Sequence, residues 1–163
     1  MAEAFPPAPF WRRLTALLYD YLVGASVFAL AHFAGFAAVL LASHFYPPLT
    51  DGYPDLASFL NASLLYKGYL LACVLGCFLW FWTHGGQTLG MRAWRLKLQN
   101  ADGTPVRLGQ ALVRALTGLL GLGLLWMLLR PKTRQALQDG LSGSQVVLLT
   151  VEANRLNRLQ GIG

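Results

Sequence analysis

Charged residues are scarce in this sequence. Only 12% of its 163 residues are Asp, Glu, Lys or Arg, whereas 55% are apolar. That proportion is too apolar for an ordinary soluble domain, and the mean hydropathy is positive. We therefore expect a membrane protein that forms a single domain over residues 1–163.

Cysteine and histidine are also few, which argues against a metal or redox centre. The only two cysteines, Cys73 and Cys77, lie four residues apart inside an apolar run, where a disulfide would serve no structural purpose. The three histidines are scattered and lack the spacing of metal ligands. We expect neither a metal site nor a cofactor.

Recognisable catalytic motifs are missing as well. The segment GGQTLG, residues 85–90, is rich in glycine but lacks the Gly-Lys-Ser/Thr ending of a phosphate-binding loop. The net charge of +6 would suit nucleic acid, but the basic residues lie between apolar segments and form no basic stripe. We expect neither an enzyme nor a nucleic-acid binder, and anionic lipids of the bilayer are the expected partners.

Two apolar runs are long enough to cross a bilayer as helices, which takes about 20 residues. They cover about 14–42 and 64–83. A third apolar segment, about 111–129, is short and rich in glycine, so it is either re-entrant and bent or a third span. The sequence thus predicts an all-α, small polytopic transmembrane protein. Its basic loop 84–110 is predicted to be cytoplasmic, with a hairpin or an irregular loop around Asp102–Gly103.

Basic residues also predict the orientation, since short cytoplasmic loops are enriched in Lys and Arg. Arg12 and Arg13 precede the first span, whereas the loop 43–63 contains no Lys or Arg. The N-terminus should therefore be cytoplasmic, in a bacterial inner membrane. A complete third crossing would carry three basic residues to the outside, namely Arg130, Lys132 and Arg134. This favours the bent alternative.

Small residues mark faces where membrane helices can approach closely. The first span carries Ala31, Gly35, Ala38 and Ala42 on one face, and the second carries the series Gly68, Ala72 and Gly76. We expect these two faces to meet. The sequence leaves open whether they do so within one chain or in a homo-oligomer.

Asp20 is unusual because it is a carboxylate within the first span. Such a group costs about 2.5–3.5 kcal/mol in a membrane unless it has a partner. Arg13 is about 10 Å away along a helix, which favours a partner from another segment. The candidate cations are Arg92, Arg95, Arg114 and Arg134. Asp139, near the C-terminus, is expected to meet Arg12 or Arg13.

Three blocks of this sequence resemble the RDD family of prokaryotic membrane proteins: FWRRLTALLYDYL, GGQTLGMRAWRLKLQNADGTPVRLGQALVRAL and KTRQALQDGLSGSQVVL. The resemblance places the arginine and the two aspartates that name the family on Arg13, Asp20 and Asp139. It also singles out further positions: Gly86, Gln87, Thr88, Leu89, Gly90, Asp102, Gly103 and Arg114.

The resemblance implies a fold more clearly than a function. Transport has been suggested for the family, including sodium–proton exchange for some relatives. Two alternatives remain: the Arg/Asp network is structural within an accessory or scaffold membrane protein, or the acids couple ions in an oligomeric antiporter. This chain departs from the family pattern at Met91, Gln138 and Ser144. The glutamine replaces a frequent histidine, which weakens any proton relay through that position.

Overall fold

The computed structural model describes residues 5–129 and 135–160. Most of them are helical, and two short strands complete the fold. The helices are α1 (Phe10–Phe45), α2 (Leu56–Ala62), α3 (Leu64–His84), α4 (Leu89–Ala93), α5 (Leu108–Gly118), α6 (Trp126–Leu129), α7 (Leu137–Ser142) and α8 (Val151–Gln160). The strands are β1 (Leu96–Asn100) and β2 (Ser144–Leu148), and 3-10 turns cover Pro47–Thr50 and Leu119–Leu124.

The two predicted spans form the two longest helices. By length and composition, α1 with 36 residues and α3 with 21 residues are long and apolar enough to cross a membrane. Uninterrupted apolar sequence without internal proline favours such continuous helices. The expectation of a nearly all-helical fold with two such helices is therefore confirmed.

The third apolar segment is bent. Its two helical parts, Leu108–Gly118 and Gly121–Leu129, meet at an angle of 88°. Gly121 has a φ of +97°, which side chains rarely adopt. A Cβ there would also overlap the side chain of Leu17 on α1. Glycine thus permits both the bend and the close approach to α1.

Of the two alternatives expected around Asp102–Gly103, a hairpin or an irregular loop, the hairpin is wrong. Strand β1 pairs instead with β2, antiparallel, from Leu96 opposite Leu148 to Asn100 opposite Ser144. Pro105 would stand opposite Asn100 in the hairpin, and proline has no N–H to donate to a ladder. The C-terminal apolar patch supplies a better partner, since Val147 becomes almost completely buried there.

The described chain divides into two compact units. The sheet unit contains the residues up to Val23 and those from Phe78 onward, and the helix-pair unit is Gly24–Cys77. The sheet unit has its own apolar core, which draws on α1, both strands and the segments beside them. The buried members of this core are Ala8, Ala16, Met91, Leu96, Leu98, Val106 and Val146.

The two small-residue faces do not meet. Gly35 on α1 does face α3, where a Cβ would lie 2.8 Å from Tyr66 and 2.9 Å from Tyr69. Gly68 and Gly76, however, have no neighbour within 4 Å of such an atom, and Ala72 is exposed. The tyrosines turn toward α1 because their hydroxyls donate hydrogen bonds to its carbonyl oxygens. This places the glycine series of α3 on another side of the helix.

Candidate functional site

Asp139 binds two arginines from distant parts of the chain. Its Oδ2 accepts a hydrogen bond from Arg13 Nη1 at the start of α1, 126 residues away. Its Oδ1 lies 2.5 Å from Arg114 Nη1 on α5. Asp139 is 1% exposed, and both arginines are buried as well. This Arg13–Asp139–Arg114 triad connects α1, α5 and α7.

The triad carries one excess positive charge, and neighbouring oxygens offset it. Arg13 donates from Nη2 to the carbonyl oxygen of Val146 at 3.1 Å and from Nε to that of Ala8 at 3.3 Å. Arg114 donates to Ser144 Oγ at 3.3 Å. Buried cations need such partners because desolvation is costly. The same bonds fix β2 and the N-terminal segment beside α1.

Two further contacts complete the surroundings of the triad. The guanidinium carbon of Arg114 lies 5.8 Å from the ring centre of Trp82, within the range of a cation–π interaction. The backbone N–H of Ala136 donates to Asp139 Oδ2 at 3.1 Å, at the first turn of α7. Carboxylates favour this position because the N–H groups of a helix start point toward them.

The environment of Asp139 keeps it ionised. Burial by itself would raise the pKa of this carboxyl, but the charges and hydrogen bonds of Arg114 and Arg13 outweigh burial. The pKa of Asp139 therefore lies below its ordinary value. At neutral pH the triad is two guanidinium groups on one carboxylate.

Asp20 lies apart from the triad, contrary to expectation. Its Oδ2 accepts a hydrogen bond from the Thr88 hydroxyl at 2.6 Å, and its Oδ1 accepts one from the Gly90 N–H at 2.9 Å. No described arginine forms an ion pair with it, and Arg134 lies outside the described residues. Hydroxyl and backbone donors replace the predicted cations because the GGQTLG loop places them against α1.

The GGQTLG loop needs its glycines to approach α1 and β1. A Cβ on Gly90 would overlap the carbonyl oxygen of Ala16 and lie 2.7 Å from Asp20 Oδ1. Gly86 has a φ of +64°, and a Cβ there would overlap the carbonyl oxygen of Leu98. Thr88 also caps α4, since its Oγ1 accepts a hydrogen bond from the Met91 N–H. The loop therefore connects α3 to the sheet through close backbone contacts that require glycine.

Gln87 forms a second buried network that the sequence did not reveal. Its Nε2 donates to the carbonyl oxygen of Leu96 at 2.6 Å and to Asn154 Oδ1 at 2.9 Å. Asn157 donates to Gln87 Oε1 at 2.8 Å. The two asparagines, three residues apart, share one face of α8. That spacing was the available signal, but only the fold shows that this face meets the loop.

Six of the predicted site residues thus fall into two groups. The structure brings Arg13, Arg114 and Asp139 together, and it places Asp20 with the loop residues Thr88 and Gly90 instead. Gly86, Gln87 and the helix-packing residues belong to neither group. Arg12, the alternative partner of Asp139, donates weakly to the Trp94 carbonyl oxygen at 3.4 Å.

Comparison with known proteins gives one positive result. The model of the RDD family matches residues 7–143. This range includes α1, the GGQTLG loop, β1, the bent segment and α7, and so contains every member of both groups. No curated protein and no solved structure matches the chain.

Proposed function

The chain belongs to the RDD family, and we propose that it is an accessory or scaffold protein of the bacterial inner membrane. On this proposal the triad is structural. It connects the two ends of the described chain in one folded unit at the membrane surface, while the chain between them passes through the bilayer. That unit can support another membrane protein.

The observation that carries this proposal is that the aspartates are already satisfied. Asp139 binds two guanidinium groups and a backbone N–H, and both oxygens of Asp20 accept hydrogen bonds. Neither residue lines the cavity of about 180 Å³ beside Gly86 or the cleft of about 600 Å³ in the helix-pair unit. An ion-coupling carboxylate needs access to both sides of a membrane in turn, and this arrangement favours a structural role.

The sheet supports a re-entrant third segment. Strand β1 precedes this segment and β2 follows it, yet the two strands pair with each other. Paired strands lie on the same side of a bilayer, since their hydrogen bonds cannot span its core. The segment then enters and leaves on one side. The basic residues around β1 and before α1 favour the cytoplasmic side.

Helix α5 has the amphipathic pattern of a helix embedded in lipid. Leu108, Leu112 and Leu116 follow one another at intervals of four residues and are all exposed, whereas Ala111 and Arg114 on the other side are buried. The side of α5 that carries Arg114 thus packs against the protein, and the side that carries the three leucines is exposed. Such a helix is stable at a membrane surface with its apolar side in the acyl chains.

The accessory role requires a surface for a partner, and α3 offers one. Its series Gly68, Ala72 and Gly76 leaves open space along the helix. Small residues let another helix approach closely in a bilayer, where packing rather than hydrophobicity drives association. We propose a helix of a different membrane protein as the occupant.

Photo-crosslinking in the native membrane tests the accessory role. A benzoylphenylalanine replaces Ala72 in one variant and Phe33, a 70% exposed residue of α1, in the control. We expect a discrete adduct with a different membrane protein at position 72 and none at position 33. An adduct with the mass of a second copy would contradict the accessory role. The absence of any protein adduct at position 72 would contradict the proposal.

A flux assay tests the transport alternative. The purified protein is placed in liposomes containing a pH-sensitive dye, and a sodium gradient is applied. We expect no sodium-driven proton flux above that of empty liposomes. A flux that Asp20→Asn abolishes would replace the accessory role with antiport.

A further inference from the structure

The helix-pair unit contains a cleft that neither the triad nor the accessory role uses. It has a volume of about 600 Å³, within the range of about 300–1,000 Å³ that is typical of ligand sites. Three helices form its walls: α1 through Phe28 and Phe36, α2 through Leu60, and α3 through Val74. All of these residues belong to one compact unit.

Polarity changes along the cleft. Asn61 at the end of α2 and Lys67 in the first turns of α3 line it near the loop between the two long helices. Val74 lies seven residues farther along α3, about 10 Å deeper at 1.5 Å per residue. Phe28 likewise lies about 12 Å beyond Phe36 on α1. The cleft is therefore charged at one end and mainly apolar beyond it, where the polar groups of His32 and Tyr66 also line it and lie within hydrogen-bond distance of each other.

Lys67 gives the polar end an unmatched positive charge. It is the only Lys or Arg in Gly24–Cys77, and it forms no ion pair with any residue that the structure describes. No carboxylate lines the cleft. Asp55 lies at the opposite end of α2 from Asn61, where it accepts a hydrogen bond from the Ser58 N–H. An anion would therefore meet attraction from Lys67 and no carboxylate along the walls.

Hydrogen bonds between α1 and α3 keep the cleft open. The Tyr66 hydroxyl lies 2.8 Å from His32 Nδ1 and 3.1 Å from the His32 carbonyl oxygen. The Tyr69 hydroxyl donates to the Ala31 carbonyl oxygen at 3.1 Å. These bonds set the separation of the helices beside the cleft, so the space exists before a ligand enters.

We propose that this cleft binds one anionic phospholipid. The phosphate lies at Lys67, where the Asn61 amide can donate a further hydrogen bond, and an acyl chain follows the apolar wall past Phe36 and Leu70 toward Phe28 and Val74. An amphiphile with a charged head and a long chain matches a cleft that is charged at one end and mainly apolar beyond it. This site is independent of the accessory role and of the triad.

Native mass spectrometry of the full chain, stripped of lipid in detergent, tests the site. The probes are phosphatidylglycerol and phosphatidylcholine with identical acyl chains. We expect Lys67→Gln to weaken the first phosphatidylglycerol bound about fivefold and to leave phosphatidylcholine unchanged. Arg107→Gln, which removes the same charge from an exposed position in the sheet unit, should weaken neither.

A second variant tests the apolar wall. Val74→Trp fills the cleft and should reduce the binding of both lipids, with circular dichroism showing that the helices persist. The proposal is overturned if wild type binds both lipids equally, if Arg107→Gln weakens phosphatidylglycerol as much as Lys67→Gln does, or if Val74→Trp leaves binding unchanged. Should Val74→Trp fail to fold, the comparison of Lys67→Gln with Arg107→Gln still decides.

Discussion

Single residues determine how the sheet unit tolerates buried charge. Among the residues that the structure describes, Asp139 is the carboxylate that pairs with both Arg13 and Arg114. A buried ion pair contributes little net stability compared with apolar packing, but the loss of one partner leaves the other charge unpaired at high cost. Removal of the Asp139 carboxylate is thus expected to be costly.

Asp139→Asn should lower the free energy of unfolding by about 3–5 kcal/mol, because it removes the carboxylate charge with which two buried guanidinium groups pair. Chemical unfolding in detergent micelles, followed by circular dichroism, measures the change. Asp51→Asn makes the same substitution at an exposed position and should change stability by less than about 0.5 kcal/mol. Equal effects of the two variants would show that the triad is not structural.

The lowered pKa of Asp139 predicts a dependence on acid. Unfolded aspartate has a pKa of about 3.9, and the folded value lies below it. The stabilisation by this group is therefore complete above pH 3.9 and is lost as the pH falls through the folded pKa. The stability difference between wild type and Asp139→Asn should be constant from pH 7 to about pH 5 and shrink below about pH 4. A difference that already falls at pH 6 would contradict this assignment.

Gly90→Ala should separate the GGQTLG loop from α1. The added methyl group would overlap the Ala16 carbonyl oxygen and crowd Asp20. Overpacking of this kind costs about 1–3 kcal/mol, which thermal unfolding in detergent would detect. Gly109→Ala on α5 is the matched control, since a Cβ there meets nothing within 4 Å. It should be neutral or stabilising by up to about 1 kcal/mol. If Gly90→Ala is equally neutral, the close approach is wrong.

At the scale of elements, the pairing of β1 with β2 decides the path of the chain. Gln99→Cys with Gln145→Cys, in a background lacking Cys73 and Cys77, should form a disulfide, because the two Cα positions are partners in the register. Peptide mapping by mass spectrometry under oxidising conditions would identify the linked peptide.

The competing register provides the control for that experiment. A hairpin about Asp102–Gly103 would place Gln99 opposite Val106, so Gln99→Cys with Val106→Cys should crosslink poorly. Preferential crosslinking of this second pair would restore the hairpin and remove the main support for a re-entrant third segment.

For the whole molecule, both ends of the chain should lie in the cytoplasm. The C-terminal β2 pairs with β1, and Asp139 binds Arg13 at the start of α1. A fluorescent protein fused after Gly163 should therefore fluoresce, and alkaline phosphatase at the same position should be inactive. Phosphatase inserted at Asp51, between α1 and α3, should be active. An active C-terminal phosphatase would mean that the third segment crosses the membrane.

The sequence alone predicted the two long helices and the family of this protein. The two long helices follow from apolar runs of sufficient length, a local property that needs no tertiary contact. Family membership was confirmed over residues 7–143, because three sequence blocks occur in a specific order. The short length and the glycines of the third segment are visible in the sequence and made a bend one of the expectations, and the two helical parts meet at 88°.

Only the tertiary structure decided which groups meet. The sequence offered several arginines as partners for Asp20 and Asp139, but Arg13 and Arg114 bind Asp139, while Thr88 and Gly90 satisfy Asp20. The β1–β2 pairing and the Gln87 network likewise join segments far apart in the chain. Composition and spacing report local preference, whereas the choice among distant partners depends on which backbone and side-chain atoms the folded chain places within hydrogen-bond distance.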